Sequence, residues 1–308
     1  MRACIDCLPC LARNAIDLAK KTVVDPARQL EIAKASIAEL VSSDLTLPPP
    51  CYARRMIDRT LEMSGGVTPD PYKLEKKKST RLALDLLKRL EEIPGWDPDD
   101  FESRLRLAVS GNVLDFQIYA DLKLEDALKV MEEAFVKPVD KAAVAELKRR
   151  MDAAKKILWV FDNCGEIVFD RMFLEPYREK VTLAVRGKPA FNDVTRVELA
   201  ESGYPEDFAG GGVIDNESGI PGVVLSEAGE RMRKAFAESD LIICKGQGNF
   251  ETLNDVEGYP FAFLFLAKCP VVIRTIGAEP RSIQVRFKEG WGFQGSDPGG
   301  GVGSGIMV

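Results

Sequence analysis

The sequence predicts an α/β fold with a mostly helical region over residues 1–155 and a parallel-sheet region over residues 156–308. A chain of 308 residues is long enough for about two domains. In the first region apolar residues recur with helical spacing. In the second, short apolar runs alternate with helical segments, which is typical of a parallel sheet with right-handed crossovers.

Amphipathic helices dominate the first region. Pro9 suits the first turn of the first helix, and Gly65-Gly66 and Pro94-Gly95 are typical helix ends. The run Lys76-Lys77-Lys78 is typical of a solvated helix face. The predicted helical segments are Leu11–Ala19, Leu30–Val41, Met56–Leu61, a single long helix over Leu74–Ile93, Leu124–Val136 and Val144–Ala154.

Continuous apolar runs predict strands that are buried on both faces. The run Val271-Val272-Ile273 fits either a strand or a helix. The four clearer strands are Ile157–Phe161, Val181–Val185, Leu241–Cys244 and Phe261–Leu266. The helices expected between them are Ile167–Tyr177, Val194–Glu201 and Glu227–Ala237.

Composition excludes several classes of function. A net charge of −6 does not suit a protein that binds nucleic acid or an anionic membrane. The sequence has no membrane-length apolar stretch and its start does not resemble a signal peptide, so we expect a cytoplasmic protein. It contains no histidine, which excludes Ser-His-Asp and Cys-His catalysis and histidine-bound zinc.

Polar residues follow three of the predicted strands. Asp162 and Asn163 follow the first, Asp193 follows the second, and Lys245 follows the third. Ligands of parallel α/β sheets lie beyond the carboxyl ends of the strands, so these side chains should meet at one edge. Hard oxygen ligands suit a divalent metal, and a lysine beside Gly246 suits a phosphate. Taken one at a time, Asp and Asn at these places would also serve as helix N-caps.

Three ordered motifs resemble the family first described as domain of unknown function 89, now known as damage-control phosphatases. They are Asp162-Asn163-x-Gly165-Glu166, Asn192-Asp193-x-Thr195 and Lys245-Gly246-x-Gly248-Asn249-Phe250-Glu251. Cys4-x-x-Cys7 and Ser110-Gly111-Asn112-x-x-Asp115 extend the resemblance over nearly the whole chain, and the cysteine pair points to the archaeal and prokaryotic-type branch. Glu198-Leu199 departs from the Asp-Ala pair of the family pattern.

The resemblance implies a helical domain packed on a three-layer α/β/α domain with a mainly parallel, Rossmann-like sheet. It implies Asp162, Asn163 and Asp193 as ligands of a divalent metal, which could be Mn²⁺, Co²⁺, Ni²⁺ or Mg²⁺. It places Lys245 and Asn249 near the substrate phosphate, with Asn112 and Asp115 as the helical domain's contribution to the cleft. A surface pair on a helix is the alternative for those last two residues.

The function predicted is a metal-dependent phosphoric monoester hydrolase acting on small phosphorylated metabolites. Lys245 would offset charge on the transferring group. Glu166 is a candidate proton acceptor, and a direct Asp162 nucleophile stays open. The alternatives are a non-catalytic metal or phosphate sensor and a Rossmann-like methyltransferase. The sequence predicts neither the substrate nor the oligomeric state.

Thiols cluster near the start of the chain. Cys4, Cys7 and Cys10 are three residues apart, and Cys51 could complete a four-sulfur site for structural zinc or an iron–sulfur cluster. Free cysteine is also a common small core residue, so packing remains an equal alternative.

Overall fold

A computed structural model describes residues 1–66, 68–114 and 123–288 of the chain. Helices precede the sheet, as predicted. They are α1 (Leu8–Thr22), α2 (Pro26–Val41), α3 (Pro49–Met63), α4 (Lys73–Leu87), α5 (Phe101–Ser110), α6 (Leu124–Phe135) and α7 (Lys141–Ala153). The sequence patterns did not predict α5.

The second half alternates strands and helices. The strands are β1 (Ile157–Val160), β2 (Val181–Val185), β3 (Val213–Asp215), β4 (Leu241–Lys245), β5 (Phe261–Leu266) and β6 (Ile283–Phe287). The helices are α8 (Glu166–Leu174), α9 (Arg196–Glu201), α10 (Glu230–Glu238), α11 (Gly246–Leu253) and α12 (Pro270–Ile276). The ambiguous run at 271–273 is therefore helical.

All six strands form one sheet in the order β3-β2-β1-β4-β5-β6. The pairs from β3 to β5 are parallel, and β6 runs antiparallel at the edge. The mixed, mostly parallel α/β fold is confirmed. The edge strands β3 and β6 were not predicted, because β3 has only three residues and β6 is only partly buried.

Alternate residues of each strand pack against helices on opposite faces of the sheet. Trp159 and Ile243 share one apolar core with residues of α5, α7 and α8. Leu158 and Ile242 share the other with residues of α10, α11 and α12. Since α5 and α7 lie against the sheet, the first half of the chain supplies part of one layer. The division into domains at residues 155 and 156 stays a prediction.

Two expectations for α4 were wrong. The predicted single helix over Leu74–Ile93 ends at Leu87, because Lys88 and Arg89 donate i−3 backbone bonds that tighten the chain into a short 3₁₀ turn. The second expectation, a solvated face at Lys76-Lys77-Lys78, is wrong for Lys76 alone. Lys77 and Lys78 are exposed, whereas Lys76 is 1% exposed and pairs with Asp70 at 3.0 Å and Glu198 at 3.4 Å.

Lys76 is buried because it shares the inner face of α4 with Ser79, Thr80 and Ala83, at helical spacing. Within the described residues, no helix is long and apolar enough to cross a membrane.

Candidate functional site

The strand order reverses direction beside β1, because the chain moves outward through β2 and β3 and then returns to pair β4 with β1. Such a switch point opens a crevice at the carboxyl ends of the strands. Asp162 and Asn163 leave β1 there, and α11 begins there directly after β4. The fold thus brings two of the predicted motifs to one crevice.

Backbone hydrogen bonds bring the loop after β2 to the same place. Asn163 and Asp193 form an isolated antiparallel bridge. The Val194 N–H donates to the Asp162 carbonyl at 3.0 Å, and the Cys164 N–H donates to the Asn192 carbonyl at 2.8 Å. The positions of Asp162, Asn163 and Asp193 are therefore fixed relative to one another by main-chain bonds.

Close packing at two turns requires glycine. Gly246 has a φ of +74°, and a Cβ at this position would overlap the Asp162 carboxylate. Gly165 has a φ of +85°, and a Cβ there would overlap the Ser79 hydroxyl, which donates to the Cys164 carbonyl at 3.0 Å. The glycines of the first and third motifs thus allow α11 and α4 to approach the loop that follows β1.

Asp162 lies among other polar groups. Its Oδ2 accepts hydrogen bonds from the Asn112 and Asn163 amides, both at 3.0 Å. Burial raises the pKa of the Asp162 carboxyl well above its ordinary value, and the negative charges of Asp193 and Glu166 raise it further. A cation beside Asp162 would therefore relieve an electrostatic strain that the protein alone does not relieve.

Asp193 is held by a buried arginine. Arg186 Nε donates to Asp193 Oδ2 at 2.7 Å, and another guanidinium nitrogen donates to Asn249 Oδ1 at 3.1 Å. The Asn249 amide donates to the Phe161 and Lys245 carbonyls at 3.0 and 2.6 Å. Asn249 is fully buried and joins the ends of β1 and β4, and its expected position near the substrate phosphate stays a prediction.

Lys245 does not reach the rim of the crevice as expected. Its ammonium is fully buried and donates to the Ala108 carbonyl at 3.0 Å, to Asp170 at 2.6 Å and to Glu166. Burial alone would lower the pKa of Lys245, but the two carboxylates outweigh it and raise the pKa. All three N–H donors are used, so this lysine balances charge beneath the site.

Glu166 is the link between Lys245 and the crevice. One of its oxygens accepts from Lys245 and the other accepts from the Asn112 amide at 2.7 Å. Asn112 in turn donates to Asp162. Glu166 is 1% exposed, so its carboxylate positions Asn112 rather than facing solvent.

A cavity of about 860 Å³ opens above this network. Asp162 and Asp193 line it, together with Gln247 from the first turn of α11. Gln247 Oε1 accepts from two backbone N–H groups, while its Nε2 is buried and has no partner within the described residues. A larger cavity of about 1070 Å³ lies beside β6, and none of the predicted site residues that are described lines it.

The donor set fits a hard divalent cation. Asp162 and Asp193 supply carboxylate oxygens and Asn163 supplies an amide oxygen that accepts no hydrogen bond from the described residues. Of the described residues, no group of three or more His, Cys, Asp or Glu side chains is arranged to hold a metal. The predicted set has two carboxylates and one amide, and its fit rests on the chemistry of these donors.

The expected four-sulfur site is not assembled. Cys4 and Cys7 have their sulfur atoms 3.8 Å apart, but Cys51 is buried in α3, where the nearest charges are those of Glu227 and Arg55. Cys269, and not Cys51, lines the same cavity as Cys7 and Cys10. The described residues therefore contain no preformed zinc or iron–sulfur site.

Asp115 lies outside the described residues. Three residues that contribute to the site were not predicted, Arg186, Asp170 and Gln247. Arg186 stands directly after β2, and a charged residue ending a buried strand is a signal that could have indicated it. Asp170 is four residues after Glu166 on α8, which places both carboxylates on one helix face toward Lys245.

Comparison with known proteins agrees with the fold and the motifs. Residues 3–283 match the family model of the damage-control phosphatase ARMT1-like domain. The chain therefore belongs to the damage-control phosphatase ARMT1-like family. The match spans both the helical half and the sheet up to the start of β6. The assignment to the archaeal and prokaryotic-type branch stays a prediction.

Relatives match over most of their length. The chain is 31% identical to damage-control phosphatase PH1575 of Pyrococcus horikoshii, covering 90% of this chain and 94% of that protein. It is 32% identical to a damage-control phosphatase of Archaeoglobus fulgidus, over 73% of this chain and 77% of that one. It is also 31% identical to the uncharacterized protein MJ0202 of Methanocaldococcus jannaschii, covering 89% of this chain and 91% of that protein.

A crystal structure shares the fold. A DUF89 family protein from Pyrococcus horikoshii, solved at 2.04 Å, superposes with a TM-score of 0.81 at 27% identity. The alignment covers 94% of this chain and all of that one.

Proposed function

We propose that this protein is a metal-dependent phosphatase that hydrolyses small phosphorylated metabolites. One observation carries the proposal: Asp162 and Asp193 line one cavity on two loops that are hydrogen-bonded to each other. Two of the relatives are named damage-control phosphatases, which supports the same reaction.

Asp162, Asn163 and Asp193 would hold the metal, which we expect to be Mn²⁺, Co²⁺, Ni²⁺ or Mg²⁺. A divalent cation there supplies charge neutralisation for the phosphoryl group and a lowered pKa for a bound water. Arg186 fixes the orientation of Asp193 through a bond of 2.7 Å. Asn112 does the same for Asp162 at 3.0 Å. The chain thus orients both carboxylates before a ligand arrives.

Glu166 and Lys245 have positioning roles in this proposal. Both oxygens of Glu166 are already engaged by Lys245 and Asn112, so Glu166 is a poor proton acceptor for an attacking water. Lys245 neutralises Glu166 and Asp170 and so keeps the layer beneath the cavity from repelling an anionic substrate. Asp162 lines the cavity, and it remains the candidate for direct nucleophilic attack on the phosphoryl group.

Substrate oxygens would be bound by donors at the start of α11. Gln247 lines the cavity, and its buried N–H₂ group has no hydrogen-bond partner among the described residues. Leaving such a donor unpaired costs about 1–3 kcal/mol, so a ligand oxygen there is favoured.

The test is a panel of sugar phosphates and nucleotides assayed with each of the four metals. We expect phosphate release with at least one metal and none after chelation. Release that is unaffected by chelation would contradict the metal role. Metal binding without turnover of any substrate would instead favour a non-catalytic sensor.

A further inference from the structure

The first turn of the chain holds two thiols close together. Cys4 precedes the 3₁₀ turn Ile5–Cys7, and Cys7 immediately precedes α1. Their sulfur atoms are 3.8 Å apart, and the Cys7 N–H donates to the Cys4 carbonyl at 2.9 Å. A disulfide needs sulfur atoms about 2 Å apart, so closing this pair asks for a local movement of about 2 Å.

The two thiols differ in accessibility. Cys4 is half-buried and is the more accessible of the two thiols. Cys7 is 7% exposed and packs in the core of the first helices. This arrangement suits an attacking thiol backed by a resolving thiol.

The turn between the thiols forms part of the cavity wall. Asp6 and Cys7 line the cavity that also contains Asp162 and Asp193. Asp6 forms an ion pair with Arg274 of α12, which lines the same cavity. A change of shape in this turn therefore reaches the wall of the candidate site without touching its carboxylates.

We propose that Cys4 and Cys7 form a reversible disulfide that changes the wall of the cavity and weakens substrate binding. The regulatory half of this inference rests on the proposed function, and the disulfide chemistry does not. The co-reactant is a low-molecular-weight disulfide.

The exchange balances in two steps. The Cys4 thiolate attacks one sulfur of the small disulfide, forms a mixed disulfide and releases one thiolate. The Cys7 thiolate then attacks the Cys4 sulfur, closes the Cys4–Cys7 bond and releases the second thiolate. The two cysteines are oxidised, the small disulfide is reduced to two thiols, and the cysteine protons end on those thiols.

Burial raises the pKa of the Cys7 thiol to about 11. Cys7 is therefore a thiol at neutral pH, which favours Cys4 as the first attacking group. The closing step should become faster as the pH rises, because more Cys7 is then ionised.

The test treats the full-length protein with oxidised glutathione and maps its peptides by mass spectrometry. We expect a Cys4–Cys7 linkage that dithiothreitol reverses. The Cys10→Ser variant, which keeps the pair, should form it too, while Cys7→Ser should stop at a glutathione adduct on Cys4. If Cys4 and Cys7 are still free thiols after treatment with oxidised glutathione, the proposal is overturned.

The same samples are then assayed for phosphatase activity with Mn²⁺. We expect KM to rise about tenfold in the oxidised form while kcat changes little, because uniform binding is lost at the wall. Equal KM in both forms would overturn the regulatory role. A mapped disulfide in a protein that releases no phosphate in either form would refute the proposed function and the regulation, leaving only the thiol chemistry.

Discussion

Two sets of polar side chains lie at the strand ends, and they differ in what their atoms face. Asp162 and Asp193 line the cavity. Directly beneath them, Glu166, Asp170 and Lys245 are each at most 1% exposed and bond mainly to one another. We refer to these as the open pair and the buried triad. The comparison teaches that similar residue types at neighbouring positions can serve binding in one layer and charge balance in the next.

The largest expected effect concerns the open pair. Asp193→Asn keeps the shape of the side chain but removes the negative charge of a proposed metal ligand, so kcat/KM should fall at least about a thousandfold. The melting temperature should also fall, because the buried Arg186 guanidinium loses its carboxylate partner, so the kinetics are measured at a temperature where the variant is still folded. Steady-state kinetics and thermal unfolding on one preparation check both points. Wild-type kinetics at limiting metal would remove Asp193 from the ligand set.

A substitution in the buried triad should mainly lower the free energy of unfolding. Lys245→Met leaves the carboxylates of Glu166 and Asp170 buried without their cation, so the free energy of unfolding should fall by about 3–5 kcal/mol. Lys156→Met is a matched control, because Lys156 pairs with Glu238 on the surface, and the loss there should be under about 1 kcal/mol.

Denaturant titration separates this account of Lys245 from the phosphate contact expected from the sequence. A phosphate contact at the rim predicts normal stability with a kcat/KM that is about a hundredfold lower. That result would refute the division into an open pair and a buried triad.

The raised pKa of Asp170 makes the free energy of unfolding depend on pH. Burial raises the pKa of Asp170 from 3.8 to about 7, although Lys245 acts against the rise. Between about pH 4 and pH 7 the folded protein therefore keeps a proton on Asp170 that the unfolded chain has released. The free energy of unfolding falls as the pH rises over this range and levels off above about pH 7. Relative to Asp170→Asn, the wild type should lose unfolding free energy between about pH 4 and pH 8. A difference that is independent of pH would contradict the assignment.

The smallest expected effect tests the cavity wall. Gln247→Met removes both the unpaired N–H₂ group and the oxygen that accepts from the Lys268 and Cys269 N–H groups, at nearly constant volume, so KM should rise about tenfold with kcat nearly unchanged. Gln284→Met on β6 is a control in the other cavity and should not alter KM. If both variants match the wild type, Gln247 does not contact the substrate.

Strand-end reasoning predicted the open pair because Asp162 and Asp193 follow continuous apolar runs that could only be buried parallel strands. It did not predict that the Lys245 side chain points into the protein interior rather than toward the rim of the crevice. Side chains alternate along a strand, and Leu241 and Ile243 point to the face covered by α5 and α8. Lys245 is two residues after Ile243 and therefore points to the same face. Extending the predicted strand β4 by one residue would have predicted its burial beneath α8.

Other features of the site depend on contacts between distant segments. Cys269 rather than Cys51 shares a cavity with Cys7 and Cys10, because α12 lies beside the turn that contains Asp6, and no local pattern encodes that contact. Lys76 is buried because Glu198 on α9 lies opposite it, 122 positions along the chain. The same Glu198 departs from the family pattern, and its ion pair with Lys76 gives that departure a structural role.

The most direct measurement is a calorimetric titration of Mn²⁺ into the wild type, Asp193→Asn and Asp170→Asn. The account predicts saturable binding of Mn²⁺ by the wild type and by Asp170→Asn, and none by Asp193→Asn at the same concentrations. Binding by Asp193→Asn with wild-type affinity would contradict the central claim that the open pair holds the metal.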